Sequence, residues 1–229
     1  VYIFWRRGKV SIAENIKKIE KEIPKDVKLL AVSKTKPLED LEQAYQTGIR
    51  DFGENKVQEL MEKIENFHDD VRWHLIGKLQ TNKVKYIVGK VYLIHSLSSV
   101  KLLKEIEKQY GKKNLTANVL IQINIGREES KSGFEVEELQ EAIDEIEKCN
   151  FVKVKGIMVI IPKGDSDANR EYFKKTHEIF IKLKEKSYKN INMEVLSMGM
   201  THDYKEAIEE GSNLIRIGSG IFGARDYKI

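Results

Sequence analysis

The sequence predicts an α/β protein built as a single (β/α)8 barrel, and three observations carry that expectation. Segments with helical spacing alternate with β-prone apolar runs from Ser11 onward, and eight such runs can be counted. The runs are nearly continuous in apolar residues and their connections are short, as in a parallel sheet covered by helices. Length agrees: 229 residues fit within the roughly 250–300 that one core supports. An open doubly wound sheet is the structural alternative, and the count of eight favours closure.

Taken in order, a helix is expected over 11–23, where Ile12, Ile16, Ile19 and Ile23 recur at helical spacing. The apolar run 27–33 is the first strand, and Leu38, Leu41, Ala44 and Tyr45 stripe the next helix. A short strand at 49–53 leads to a helix carrying Val57, Leu60, Met61 and Ile64. The strand at 72–76 precedes a helix near 80–87. The strand at 91–95 precedes a helix that Ser98 or Ser99 can cap through its hydroxyl. The second half repeats the plan with strands at 118–125, 152–161, 194–198 and 212–217. Between them lie a helix striped by Leu139, Ala142, Ile143 and Ile146, a long helix over 168–187, and one after Thr201 that Gly211 can end in the left-handed conformation.

Charged residues make up 33% of the chain and the net charge is +4, with signs mixed inside each helical segment. That pattern marks solvated helix faces, and no concentrated basic footprint for nucleic acid is expected. Cys149 is the only cysteine, which rules out an intramolecular disulfide, and a buried, idle thiol is expected there. No apolar stretch approaches the ~20 residues of a membrane span, so a cytoplasmic monomer is expected. At the start, apolar residues precede Arg6 and Arg7, the reverse of a secretory signal. Arg6-Arg7-Gly8-Lys9-Val10 can be encoded by a purine-rich stretch followed by GTG. Residues 1–10 are therefore set apart as a leader or non-native extension, with Val10 the expected initiator and 11–229 the barrel domain.

Functional groups of such barrels gather at the carboxyl ends of the strands. Gly218-Ser-Gly-Ile-Phe-Gly223 follows the last strand and matches G-x-G-x-x-G. The dinucleotide reading lacks its βαβ unit and its acidic residue, whereas a phosphate cradle or a plain barrel-closing turn both remain open. Lys34 and Lys36 follow the first strand. A lysine buried there loses charge and becomes nucleophilic, although simple extension to solvent is the ordinary alternative. Pro37 holds Lys36 extended at the loop entrance, which leaves Lys34 deeper. An amine and a phosphate cradle at one barrel mouth suit a phosphorylated aldehyde, pyridoxal 5'-phosphate or a phosphosugar. The five histidines show no metal-ligand spacing.

Seven blocks recur together in one family: Leu29-Leu-Ala-Val-Ser-Lys-Thr-Lys-Pro37, Phe52-Gly-Glu-Asn55, Trp73-His-Leu-Ile-Gly77, Ile94-His-Ser96, Ser130-Lys-Ser-Gly133 after Gln122-Ile-Asn-Ile125, Leu196-Ser-Met-Gly-Met200, and Arg216-Ile-Gly-Ser-Gly-Ile-Phe-Gly-Ala-Arg225. From Ser11 to Tyr227 the chain resembles the pyridoxal phosphate homeostasis protein family, whose barrel is like the N-terminal domain of alanine racemase and other fold-type III pyridoxal phosphate enzymes. The resemblance implies that Lys34 carries the cofactor as a Schiff base (an internal aldimine). It places Asn55 near the ring, Ser197, Met198, Gly218 and Ser219 at the phosphate, and Arg216 at the pyridine nitrogen. Ser219 stands where the family commonly has threonine, Gly220 replaces a small residue, and 160–167 departs from the usual short stretch.

A guanidinium at the pyridine nitrogen disfavours protonating that nitrogen and leaves the ring a weak electron sink. Racemases of this fold add a second domain and a partner's tyrosine, for which the sequence offers no residues after the barrel. The resemblance therefore implies a binder of pyridoxal phosphate that buffers or delivers the cofactor to apo-enzymes, with no catalytic residue assigned. An amino-acid racemase is the alternative, and it would need a second acid/base from His74, His95 or His202. A phosphosugar aldolase would use the same amine and cradle.

Overall fold

The computed structural model describes residues 11–224. The expectations for residues 1–10, for Arg225 and for the remainder of the carboxyl terminus lie outside the described residues. Eight parallel strands close into a barrel in sequence order: β1 (Lys28–Val32), β2 (Asp51–Glu54), β3 (Arg72–Leu75), β4 (Leu93–Leu97), β5 (Ala117–Ile123), β6 (Val152–Val159), β7 (Ile191–Ser197) and β8 (Leu214–Ile217). Closure is made by β8 against β1, with Lys28 opposite Leu214 and Ala31 opposite Ile217. The doubly wound alternative is thereby excluded.

Helices alternate with the strands: α1 (Ile12–Glu22), α2 (Leu38–Tyr45), α3 (Val57–Asn66), α4 (Val84–Ile87), α5 (Val100–Gly111), α6 (Leu139–Glu147), α7 (Ser166–Lys184), α8 (Tyr204–Glu209) and α9 (Ser219–Phe222). Each longer helix buries the apolar stripe visible in the sequence, as Ile12, Ile16 and Ile19 do in α1 and Leu139, Ala142, Ile143 and Ile146 in α6. These stripes and the strand residues form one continuous core, and Leu93, Leu120 and Met158 form a small second cluster. Ser99 caps α5 through its hydroxyl and Gly211 ends the α8 segment at φ +97°, both as the sequence indicated, and Ser11 caps α1 in the same way. Asn15 on α1 donates to the carbonyl of Ile221 on α9, tying the first helix to the last.

Several boundaries differ from the sequence reading. The long helix begins at Ser166 because the carboxylate of Asp165 accepts from the Ala168 N–H. The seventh strand starts at Ile191, which pairs with Val154. Ser212 lies before β8 because its hydroxyl faces the carbonyls of Leu196, Met198 and Leu214, a side-chain contact that replaces strand extension. Among the described residues no helix is long and apolar enough to cross a membrane.

Candidate functional site

The carboxyl ends of the strands surround a cavity of about 410 Å³, within the range of small-molecule sites of about 300–1,000 Å³. Of the residues singled out in the sequence, Lys34, Asn55, Arg216, Gly218 and Ser219 line it. Strands β1, β2 and β8 therefore bring together groups that are far apart in the chain.

Lys34 sits in a tight turn after β1, closed by the Lys36 N–H donating to the Ser33 carbonyl at 3.0 Å. Thr35 follows it at φ +62°, a conformation that costs a β-branched residue free energy and persists only where neighbours impose it. Those neighbours are present. The Thr35 N–H donates to Glu59 Oε1 at 2.5 Å, and the Lys63 ammonium donates to Ser33 O, Glu54 Oε1 and Glu59 Oε1 at 2.8, 2.7 and 2.8 Å. Ser33 Oγ also donates to Glu54 Oε1, at 2.6 Å. Burial pushes the Glu54 carboxyl above its ordinary range, against the opposing pull of Lys63. Lys36 does not line the cavity: its ammonium donates to the carbonyls of Phe222 and Ala224 at 3.0 and 3.3 Å. Of the two lysines that strand parity left open, Lys34 lines the cavity and Lys36 does not.

Asn55 is held at the end of β2 by a close approach of Gly77. A Cβ at position 77 would lie 2.3 Å from the Asn55 carbonyl oxygen, so no larger residue fits without a backbone shift. Arg216 projects from β8 and is 4% exposed. It donates to Ser197 Oγ at 2.7 Å and to the Val159 carbonyl at 2.8 Å, using two of its five N–H groups. Burial draws its pKa down to about 10, with the Asp203 charge opposing, so the guanidinium stays cationic at neutral pH. Among the described residues it has no ion pair within 4.0 Å. A buried cation on a cavity wall in that state is suited to an electron-rich partner.

Gly218 precedes α9, Ser219 Oγ lies 3.3 Å from Thr201 Oγ1, and the Gly220 N–H donates to the same Thr201 oxygen at 3.2 Å. The result is a rim of hydroxyls and backbone N–H groups. Ser197 and Met198 do not reach the cavity. Ser197 is fully buried behind Arg216, and Met198 is fully buried in the core with its N–H donating to the Leu214 carbonyl. Met200 and Thr201, from the same segment, line the wall instead. Gln122, Asn124, Lys131 and His202 also line it. Of these wall residues, His202 stood out in the sequence as a candidate acid/base, and Gln122, Asn124 and Lys131 fall within the recurring blocks. The Ser-Met-Gly-Met-Thr run after β7 was the available signal for Thr201.

His74 and His95, two of the three histidines considered as a second acid/base, are 2% and 0% exposed and do not line the cavity. Cys149 is buried, and burial is the largest cause pushing its thiol up to about 12.

Fold and site together define a parallel (β/α)8 barrel with a ligand-sized cavity at its carboxyl face, walled by Lys34 and two further lysines, a buried arginine and a glycine-bounded hydroxyl rim. The model of the family described as alanine racemase, N-terminal domain, matches residues 10–226. The pyridoxal phosphate homeostasis protein of Aquifex aeolicus is 46% identical over 202 residues, covering 87% of this chain and 88% of that protein. Its counterpart from Pasteurella multocida is 42% identical, covering 88% of each. The chain belongs to the pyridoxal phosphate homeostasis protein family, within the alanine racemase N-terminal domain group. PipY of Synechococcus elongatus, solved with PLP bound, superposes with a TM-score of 0.84 at 31% identity over 93% of this chain and 100% of that one. An alanine racemase from Clostridium difficile gives a TM-score of 0.74 at 15% identity, with 58% of that chain covered. That likeness extends to the fold alone.

Proposed function

We propose that this protein binds pyridoxal 5'-phosphate in the carboxyl-face cavity, with Lys34 as the covalent attachment point, and that it buffers or delivers the cofactor. The observation that carries this reading is the convergence of Lys34 and Arg216 on one ligand-sized cavity. The residues fit the group: an amine for the aldehyde, a buried guanidinium for the ring nitrogen, and the Gly218–Ser219 turn with Thr201 for the phosphate. Lys34 Nζ would hold the aldehyde through a C=N bond formed with loss of water, a reversible attachment. When bound, the cofactor supplies a reactive carbonyl conjugated to a pyridine ring.

Arg216 favours holding over catalysis, because a charged donor at the pyridine nitrogen opposes protonation of the ring. Among the described residues, His202 is the only histidine on the cavity wall. On the weak electron sink that Arg216 leaves, we assign the chain no catalytic residue, and take apo-enzymes as recipients of the cofactor and a monomer as the working unit.

Absorbance spectroscopy tests the reading. Wild-type protein mixed with pyridoxal phosphate is expected to turn yellow, with a Schiff-base band that borohydride fixes on Lys34, and Lys34→Ala is expected to lose the band. Wild-type protein that takes up no cofactor, or Lys34→Ala that keeps the band, overturns it. Rapid exchange of amino-acid α-protons in deuterated water would instead favour the racemase.

A further inference from the structure

A chain of buried polar groups crosses the barrel interior without touching the cavity except at one end. It begins at Asp51, the first residue of β2, at the amino end of the strands. Asp51 Oδ1 lies 3.0 Å from His74 Nε2, His74 Nδ1 lies 2.9 Å from His95 Nε2, and His95 Nδ1 lies 3.2 Å from Ser197 Oγ. Ser197 Oγ in turn accepts from Arg216 at 2.7 Å. The three middle residues are 2% exposed or less.

The Asp51 carboxylate and two neutral imidazoles fix the direction of the bonds between them. A guanidinium only donates and a carboxylate only accepts. Ser197 Oγ accepts from Arg216, and with neutral rings running from Asp51, His95 Nδ1 is left to accept the Ser197 hydroxyl proton. The His95 proton then sits on Nε2 and is donated to His74 Nδ1, and the His74 proton sits on Nε2 and is donated to Asp51. The opposite polarity would set the bare Nε2 lone pair of His74 against the carboxylate. Protonation states agree with this order. Burial lowers the pKa of both imidazoles, keeping them neutral. Burial also opposes ionisation of Asp51, but hydrogen bonds from His74 and Arg72 outweigh it and hold the carboxyl well below its ordinary range. Buried imidazoles are costly unless fully satisfied, and a fully satisfied chain is rigid.

We propose that Asp51, His74, His95 and Ser197 are positioning residues that form a one-directional hydrogen-bond relay, setting the place of Arg216 on the cavity wall from the far end of the barrel. The relay rests on the cofactor-binding reading for its purpose, but its geometry can be tested without any ligand.

Long-range 1H–15N correlation spectra of the ligand-free, full-length protein at pH 7 are expected to show His74 and His95 neutral and protonated at Nε2. Pyridoxal phosphate titrations of Asp51→Leu and Ser197→Ala are expected to give at least a threefold and a tenfold loss of affinity, with cooperative melting retained. Asp51→Asn, which keeps an acceptor oxygen, is expected to restore both the His95 nitrogen shifts and the affinity. A purely structural Asp51 would alter melting without moving the His95 shifts. An Nδ1-protonated or cationic His95 in the wild type overturns the proposal, as do folded Asp51→Leu and Ser197→Ala variants with wild-type affinity. Should Asp51→Leu fail to fold, Ser197→Ala carries the test. Wild-type protein that binds no pyridoxal phosphate sinks the cofactor reading, and the nitrogen shifts then decide the relay alone.

Discussion

Lys63 is 6% exposed, yet its ammonium has three good acceptors, and each belongs to the frame around Lys34. The sequence concealed this residue. Glu59 and Lys63 stand four apart on a charged helix, which reads as a solvated i,i+4 pair, and only the buried Glu54 carboxylate on β2 turns that pair into an interior cluster. Replacing Lys63 by methionine preserves volume but leaves Glu54 without its cation, a loss of about 3–5 kcal/mol for a broken buried pair. The sign of the pH dependence follows from the direction of the shift. Burial raises the folded-state pKa of Glu54 above its usual 4.5, so folding favours the neutral acid. Its contribution is complete below the unfolded pKa and is lost as pH rises through the folded value. Without Lys63 that shift widens, because the opposing charge is gone. Urea unfolding of Lys63→Met against wild type should therefore show a deficit that is small near pH 4 and grows towards pH 8. A deficit independent of pH would refute the assignment.

Individual elements differ in what they owe to local sequence. Helix α1 was legible because Ile12, Ile16 and Ile19 mark a single stripe, and β1 because its apolar run is nearly unbroken. Boundaries set by distant partners were not legible. The start of β7 depends on pairing with β6, and β8 is delayed by a hydroxyl whose acceptors lie on β7 and beyond. The junction of β2 and β3 shows how such contacts position function. Gly77 follows β3 and touches the backbone of Asn55 after β2, so Gly77→Ala drives a Cβ into the Asn55 carbonyl oxygen. Backbone has to yield, since no flexible side chain can move aside, and a cost of about 1–3 kcal/mol is expected from overpacking of this kind. The displaced part is Asn55 on the cavity wall, so cofactor affinity should fall along with the denaturation midpoint. Gly77→Ala with unchanged affinity and midpoint would show that the loop relaxes freely.

At the scale of the whole molecule, the site exists only because the barrel closes. Lys34 on one side and Arg216, Gly218 and Ser219 on the other meet through the β1–β8 pairing. Likewise Ser197 stands 102 residues from His95 and 19 from Arg216 along the chain. Periodicity gave the barrel and its strand count; it could not give the interior chain of imidazoles, because strand alternation identifies inward-facing positions without saying which of them touch. The recurring sequence blocks brought Lys34 and Arg216 into one site, but assigned Ser197 and Met198 to a wall they do not reach. A ligand held by groups from both sides of the closure should stabilise the barrel as one unit. At a free concentration of one hundred times Kd the gain is about 2.7 kcal/mol, and a domain of 150–250 residues shifts by roughly 2–4 °C per kcal/mol. Pyridoxal phosphate is thus expected to raise Tm by roughly 5–10 °C in differential scanning calorimetry of the wild type, through a single transition. In Lys34→Ala the increase should fall to the smaller shift left by phosphate and guanidinium contacts, because those contacts remain while the covalent bond is lost. An equal increase in both proteins would mean that the cofactor is held elsewhere or that Lys34 does not bond to it. A gain confined to a second, separate transition would mean that ligand binding at the mouth is not transmitted around the ring.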